Sequence, residues 1–425
     1  MNEKLTLTPA NLTLRHPELG TGPVPTDIYW QPEFYRRELD AIFKRAWLCV
    51  GRVEQAAKPG NFFQKKIPTF DFSVIVARAK DGKLRAFYNV CRHRGNHVEL
   101  REHGHCVGFT CPFHGWTYGL DGKLVGVPDQ KAFFDLDKGE LHLRQLPLET
   151  WEGFVFVNLA SEPPMTLTEF LGEHGRDLEG YPFDRGTAIF EYEGVIDCNW
   201  KCLVDSFCET YHVPILHRHS VKDTLAGPDN PHGRLIDIRL KGPHRTQSVW
   251  GNVAYRPNPV QGLAFKHAPG PSVTSGAVDE HTVLPKGLNE TRAPNWSIDV
   301  TVFFPNWIVV MGSGMYFTHQ MWPLAANKVV WQMRGFLRPA MNSAQRFGQE
   351  NSMVELRDAV LEDCNTLERI QHSLDQGLLG EFVFHDHELA LRHQYHVVKQ
   401  WVKDYEKGLK KARKAAKKQA KTAGK

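Results

Sequence analysis

Apolar residues recur at intervals of three and four over residues 30–47, WQPEFYRRELDAIFKRAW, a spacing that predicts an amphipathic helix. From about 48 to 160 the texture changes to short apolar runs cut by turns. FSVIVARAKDGKLRAFYNV predicts two strands around Asp81-Gly82, and WTYGLDGKLVGV a second pair around Asp121-Gly122. A strand, TAIFEYEGVID, opens a further region near residue 187 and leads into the helix-like NWKCLVDSFCETYH. Residues 224–296, rich in Gly, Pro and His, read as long loops with occasional strands, a texture suited to a lid over a pocket. The strand-like runs SIDVTVFFPNWIVVMG, MYFTHQMWPL and NKVVWQMRGFL follow, and then a long helix over about 343–373. The expected division is an N-terminal helical arm (1–47), a small all-β domain (48–160), a larger mixed domain (161–402) and a tail (403–425).

Composition narrows the class without changing that outline. With 425 residues, 41% apolar and 24% charged, the chain has the make-up of a soluble globular protein with room for two or three domains. Its longest apolar runs have strand length, so no membrane span is expected, and the first twenty residues lack an export-signal pattern, so the cytoplasm is the expected compartment. Eight cysteines are too sparse for a disulfide scaffold and leave metal binding or burial. The net charge of +4 is uneven. Residues 403–425 hold ten Lys/Arg against two acids, which leaves −4 for residues 1–402. Such a run predicts a solvated or disordered end with some helical tendency, and no basic stripe elsewhere interleaves with aromatics, so nucleic acid is not an expected partner.

Chemistry concentrates in two places. The first is Cys91-x-His93, seventeen residues, then Cys111-x-x-His114. Two thiolates and two imidazoles from paired loops suit either tetrahedral zinc or a Rieske [2Fe–2S] cluster, in which the cysteines hold one iron and the histidines the other. Zinc fingers usually pair their cysteines and run into a helix. Here each loop supplies one Cys and one His among strands, which favours the cluster. Gly95 and Gly115 suit the tight loops, and Trp116 is placed to screen the centre. His97, His103 and His105 are read as surface or hydrogen-bonded histidines, and Cys106 as a buried small hydrophobe.

The second is Glu209, His212 and His217. Glu209 and His212 would share a helix face, whereas His217 would lie about 140° round from His212 on an ideal helix. Pro214 is expected to end or bend the helix so that His217 swings back beside His212. Two imidazoles need a carboxylate to complete the facial set that holds a mononuclear non-haem iron. On the late helix an apolar stripe runs through Met353, Leu356, Val360, Cys364, Leu367 and Leu374. Glu355, Asp358 and Glu362 point away from it, whereas Asp363 and Glu368 flank it and both stay open as the third ligand. His219 is the decoy.

These motifs, with NWK at 199–201, FPN at 304–306 and Glu362-Asp363-x4-Glu368, resemble the oxygenase (alpha) component of Rieske non-haem iron oxygenases over nearly the whole chain except the tail. The resemblance implies an α+β chain: an all-β Rieske domain beside a catalytic domain whose antiparallel sheet is covered by helices in a helix-grip-like manner. It implies a [2Fe–2S] cluster on Cys91, His93, Cys111 and His114, mononuclear Fe(II) on His212, His217 and Asp363, and commonly a homotrimer. Glu209 becomes an acidic bridge from His212 to the cluster ligand His114 of a neighbouring copy. Electrons come from a separate reductase, with or without a ferredoxin. The implied reaction is O2-dependent hydroxylation or oxidative demethylation of an aromatic or other largely hydrophobic small molecule. Ring dihydroxylases of the family usually carry Asp where this chain has Glu209, which sets arene cis-dihydroxylation second. An electron carrier or zinc-binding protein without chemistry at the second site is the remote alternative.

Overall fold

The computed structural model of the chain describes residues 11–267, 284–312 and 315–423. They fall into two compact units, one of residues 43–170 and one joining the residues before 43 to those after 170. The expected arm of residues 1–47 is therefore not a separate piece. Its helix is also shorter than the pattern suggests: α1 is Pro32–Glu38, a wider turn follows over Leu39–Phe43, and Trp47 already belongs to a strand.

The smaller unit is all-β. A five-stranded sheet contains the antiparallel pair Phe72–Arg78 and Leu84–Tyr88 that Asp81-Gly82 predicts, with Gly82 at φ 77°. A three-stranded meander carries the second expected hairpin, Thr117–Gly119 against Leu124–Gly126. Phe62, Ile75, Phe87, Phe109, Trp116 and Tyr118 close a core beneath the two cysteine loops, each burial contributing about 1.5–3 kcal/mol.

The larger unit is built on a seven-stranded antiparallel sheet. In chain order its strands are β1 (Ala188–Ile196), β2 (Asp237–Lys241), β3 (His244–Trp250), β4 (Trp296–Phe303), β5 (Trp307–Met311), β6 (Tyr316–Ala325) and β7 (Lys328–Leu337). The spatial order is β1-β7-β6-β5-β4-β3-β2, so only the β1–β7 neighbours are distant in sequence. Helix α2 (Trp200–Ser206) follows β1, and the one-turn helix α3 (Val213–Leu216) follows that. The long helix α4 (Ser343–Asp375) packs close to the sheet, since any side chain at Gly335 of β7 would strike the sulfur of Met353. The stripe residues Met353, Val360, Cys364, Leu367 and Leu374 are buried, as the periodicity predicts.

The last helix, α5, runs from Leu389 to Ala423. The basic tail, expected as a solvated or disordered end with some helical tendency, continues this helix as far as Ala423. It holds Ala412, Ala415 and Ala416 among its cations, residues that favour helix strongly enough to extend a turn already formed. No helix among the described residues is long and apolar enough to cross a membrane.

The NWK motif explains how α2 is held. Asn199 caps the helix by accepting the Lys201 N–H, at 3.0 Å. Lys201 Nζ donates to Glu38 Oε1 at 2.7 Å, and Trp200 Nε1 donates to Glu38 Oε2 at 3.2 Å, with Lys201 and Glu38 fully enclosed. Burial raises the Glu38 pKa, and Lys201 opposes that rise. Because a lone buried charge is far costlier than the pair, Lys201→Met should destabilise the larger unit by about 3–5 kcal/mol. Denaturant unfolding followed by tryptophan fluorescence checks this, and the double variant with Glu38→Gln should recover most of the loss.

Candidate functional site

In the smaller unit the two cysteine loops are built alike. Gly95 N–H returns to Cys91 O at 3.0 Å, Gly115 N–H returns to Cys111 O at 3.0 Å, and both glycines have positive φ. A side chain would strain either turn. Cys91 and Cys111 are buried and unbonded to other cysteines, whereas His114 is exposed and His93 partly so. The His93 and His114 ring centroids lie 4.6 Å apart, and Trp116 stacks on His93 at 4.8 Å.

The donor set fits a [2Fe–2S] group. His93 Nδ1 is buried without a hydrogen-bond partner among the described residues, an arrangement that native interiors avoid unless something binds there. Burial, then His114 and Arg94, lower the His93 pKa and keep a lone pair available. Tyr118 O–H accepts the Arg92 N–H at 3.0 Å and so is left to donate toward Cys91 Sγ, 3.4 Å away, a hydrogen bond that suits a thiolate. Among the bystanders, His97, His103 and His105 are exposed, and Cys106 is half-buried against the core.

In the larger unit the sequence expectation needs correction. Helix α2 stops at Ser206, so Glu209 and His212 lie in a turn and not on its face. Pro214 does not end a helix; it sits in the first turn of α3, where its missing N–H costs nothing. His212 and His217 are the residues that flank this single turn. Glu209 shapes it: one carboxylate oxygen takes the backbone N–H groups of Tyr211 and His212, and the other takes His212 Nδ1.

The two imidazoles converge, with Nε2 to Nε2 3.1 Å, and Asp363 Oδ1 lies 3.5 Å from His212 Nε2 and 3.4 Å from His217 Nε2. An octahedral ion with bonds of about 2.1 Å sets neighbouring donors about 3 Å apart, so the three atoms fit one facial set. They are the group among the described residues whose donor atoms could hold one metal ion. Glu368, the other candidate, is exposed and accepts the Asp197 N–H at 3.2 Å. His219 is exposed beside Arg218.

Sequence reasoning missed Glu362. It was placed away from the apolar stripe, yet it accepts from His217 Nδ1 at 2.7 Å and from Ser220 Oγ at 2.7 Å. Adjacent acids on one helix thus take opposite nitrogens of one ring. The acidic surround must be balanced by a cation. Burial opposes a charge on His212, but Glu209 and then Asp363 outweigh it and hold its pKa up to about 9; His217 is raised likewise, chiefly by Asp363 against its burial.

A cavity of about 240 Å³ adjoins these groups, lined by Tyr29, Asp205, Glu209, His212, Asp363 and Glu388 together with Leu216, Leu367, Ile370, Phe382 and Phe384. Phe303 and Met311, on the strand-like runs that follow the expected lid, do not line it. Residues 268–283 of the expected lid lie outside the described residues.

Residues 177–404 match the family described as ring hydroxylating alpha subunit (catalytic domain), and residues 46–151 match the Rieske [2Fe-2S] domain. Choline monooxygenase, chloroplastic, of Spinacia oleracea is 34% identical over 200 residues, 46% of this chain and 45% of that protein. Biphenyl 2,3-dioxygenase subunit alpha of Rhodococcus jostii (strain RHA1) is 36% identical over 199 residues, 45% of this chain and 42% of that protein. The alignments span about half the length of these curated relatives. The fold is shared with the quaternary ammonium Rieske monooxygenase CntA in complex with an inhibitor, at TM-score 0.70 and 20% identity over 93% of this chain and 98% of that one. It is shared equally with naphthalene 1,2-dioxygenase from Rhodococcus sp. bound to indole, at TM-score 0.69 and 22% identity over 92% and 98%.

Glu362→Ala should leave the three convergent donors in place but free the His217 ring. Affinity for Fe(II), measured by chelator competition, should fall about 10–100-fold, while the visible spectrum of the [2Fe–2S] domain stays unchanged.

Proposed function

The chain belongs to the family of ring-hydroxylating alpha subunits, with a Rieske [2Fe-2S] domain ahead of the catalytic one, and on that premise we propose that it is the terminal oxygenase component of a multicomponent system. It uses O2 and reductase-delivered electrons from NAD(P)H to hydroxylate or oxidatively demethylate an aromatic or other largely hydrophobic small molecule. The observation that carries this reading is the convergence of His212, His217 and Asp363 beside a largely apolar, partly open cavity. When bound, iron on these residues supplies O2 activation, and the cluster on Cys91, His93, Cys111 and His114 stores single electrons.

The chain's own residues prepare both rings for that task. Glu209 and Glu362 each take an Nδ1–H, which fixes the tautomer and turns each Nε2 lone pair toward Asp363. Leu216, Leu367, Ile370, Phe382 and Phe384 give the cavity an apolar wall that suits a largely hydrophobic substrate and sheds water. The proposed assembly is a homotrimer in which Glu209 links His212 to His114 of a neighbouring copy, served by a reductase with or without a ferredoxin.

Glu209 in place of aspartate, with the likeness to choline monooxygenase, supports monooxygenation or demethylation. Arene cis-dihydroxylation is the second reading, favoured by the 36% identity to biphenyl 2,3-dioxygenase subunit alpha.

A reductase-coupled substrate screen separates them: formaldehyde release marks demethylation, one added oxygen hydroxylation, and two oxygens with two hydrogens a diol. Purified protein with one zinc per chain and no Rieske absorption would overturn the oxygenase reading. Glu209→Gln should retain both metal centres by metal analysis and spectrum yet lose most coupled turnover, at least 100-fold by the scale of general acid–base effects.

A further inference from the structure

Asp205, at the end of α2, is a buried carboxylate whose two oxygens both receive donors. Tyr29 O–H donates to Oδ2 at 2.9 Å, and Gln394 Nε2 donates to Oδ1 at 2.8 Å. The amide cannot be reversed. Its Oε1 takes an Arg245 N–H, and its Nε2 also donates to Lys201 O at 3.0 Å. Burial, then Asp205, pushes the Tyr29 phenol well above its ordinary range, so it keeps its proton. In the hydrogen bond from Gln394 Asp205 can only accept, so Oδ1 offers no proton there. A proton on this carboxyl sits on Oδ2 or on a remaining lone pair, and Asp205 lines the cavity it shares with Glu209, His212 and Asp363.

The charges around it favour that proton. Lys201, which faces Asp205 from its own helix, is held by Glu38, and Arg245 approaches from β3. Cys202 keeps its thiol proton, and Glu209 and Glu388 line the same cavity as further acids. Burial raises the Asp205 pKa to about 8 in spite of Arg245, Tyr29 and Lys201.

We propose that Asp205 is the proton-holding residue of this site and hands its carboxyl proton into the cavity during turnover. The proposal rests on the oxygenase reading. Hydroxylation follows RH + O2 + 2 e⁻ + 2 H⁺ → ROH + H2O. The O–O bond breaks, one oxygen enters a C–H bond, the other leaves as water, and the electrons come from the reductase. The apolar wall keeps bulk water from much of the cavity, so a resident group shortens the proton's path: the Asp205 O–H bond breaks to supply one of the two protons and is remade by a proton from solvent, which also supplies the second.

The test uses the full-length holoenzyme with its reductase. Coupled turnover is followed against pH, alongside the carboxylic C=O infrared band of protein labelled with ¹³C-aspartate. A donor works only while protonated, and a divalent ion in the cavity lowers its pKa, so wild-type rate and band should both decline with rising pH through a limb at or below about 8. Asp205→Asn, similar in shape but without an acidic proton, should lower turnover about 100-fold and abolish limb and band together. Asp205→Glu should retain a limb, and Tyr29→Phe, which removes a donor to the anion, should move it to higher pH. An Asp205→Asn enzyme that keeps the wild-type limb or band overturns the proposal. So does equal loss of turnover in the Asn and Glu variants without a change in the limb. A wild type that consumes no O2 with any substrate overturns the oxygenase reading and proton delivery with it, while a band lost in Asp205→Asn still shows that Asp205 holds a proton.

Discussion

Burying a carboxylate is affordable only when each oxygen meets a donor, and the catalytic unit is organised around that constraint. Glu38 takes Lys201 and Trp200; Asp205 takes Tyr29 and Gln394; Glu209 takes the His212 ring on one oxygen and backbone N–H groups on the other. These pairings dictate where the helices can lie. Move α2 along its axis and Lys201 and Asp205 lose their partners together. Turn α4 and Asp363 and Glu362 leave His217 together. Ligand geometry is thus secured by electrostatics set at some distance from the ligands.

Glu209 shows how a local and a functional requirement coincide. Its side chain spans from the turn's backbone N–H groups to the His212 ring, so one residue fixes both the entry to α3 and the direction of a ligand. A carboxylate shorter by one methylene would have to choose between those partners or draw the turn tighter. The glutamate is therefore bound up with the local backbone path.

Much of this was legible in the sequence because it is local. Hairpins at Asp81-Gly82 and Asp121-Gly122, the strands of the large sheet and the stripe of α4 follow from periodicity and turn chemistry. The cysteine and histidine spacing singled out two centres, and the family resemblance preferred Asp363 to Glu368. What failed was long-range or ambiguous. The chain between Ser206 and Val213 has no Gly or Pro to announce a break, and proline reads equally as a helix end or a helix start. Glu362 was set aside because a stripe tells which face is apolar, not where a neighbouring histidine loop will arrive. Tyr29, Glu38 and Gln394 gave no signal, since their partners lie more than a hundred residues away.

The hydrogen bond from Gln371 to the backbone of Tyr29 spans 342 positions, and Gln394 closes the same neighbourhood from still farther along the chain. During vectorial synthesis the first of these partners leaves the ribosome long before the last exists. A nascent chain that has emerged only as far as β7 has both histidines but lacks Asp363, Glu362 and the amide that steadies Asp205. The three convergent donors are thus brought together only after most of the chain has been synthesised.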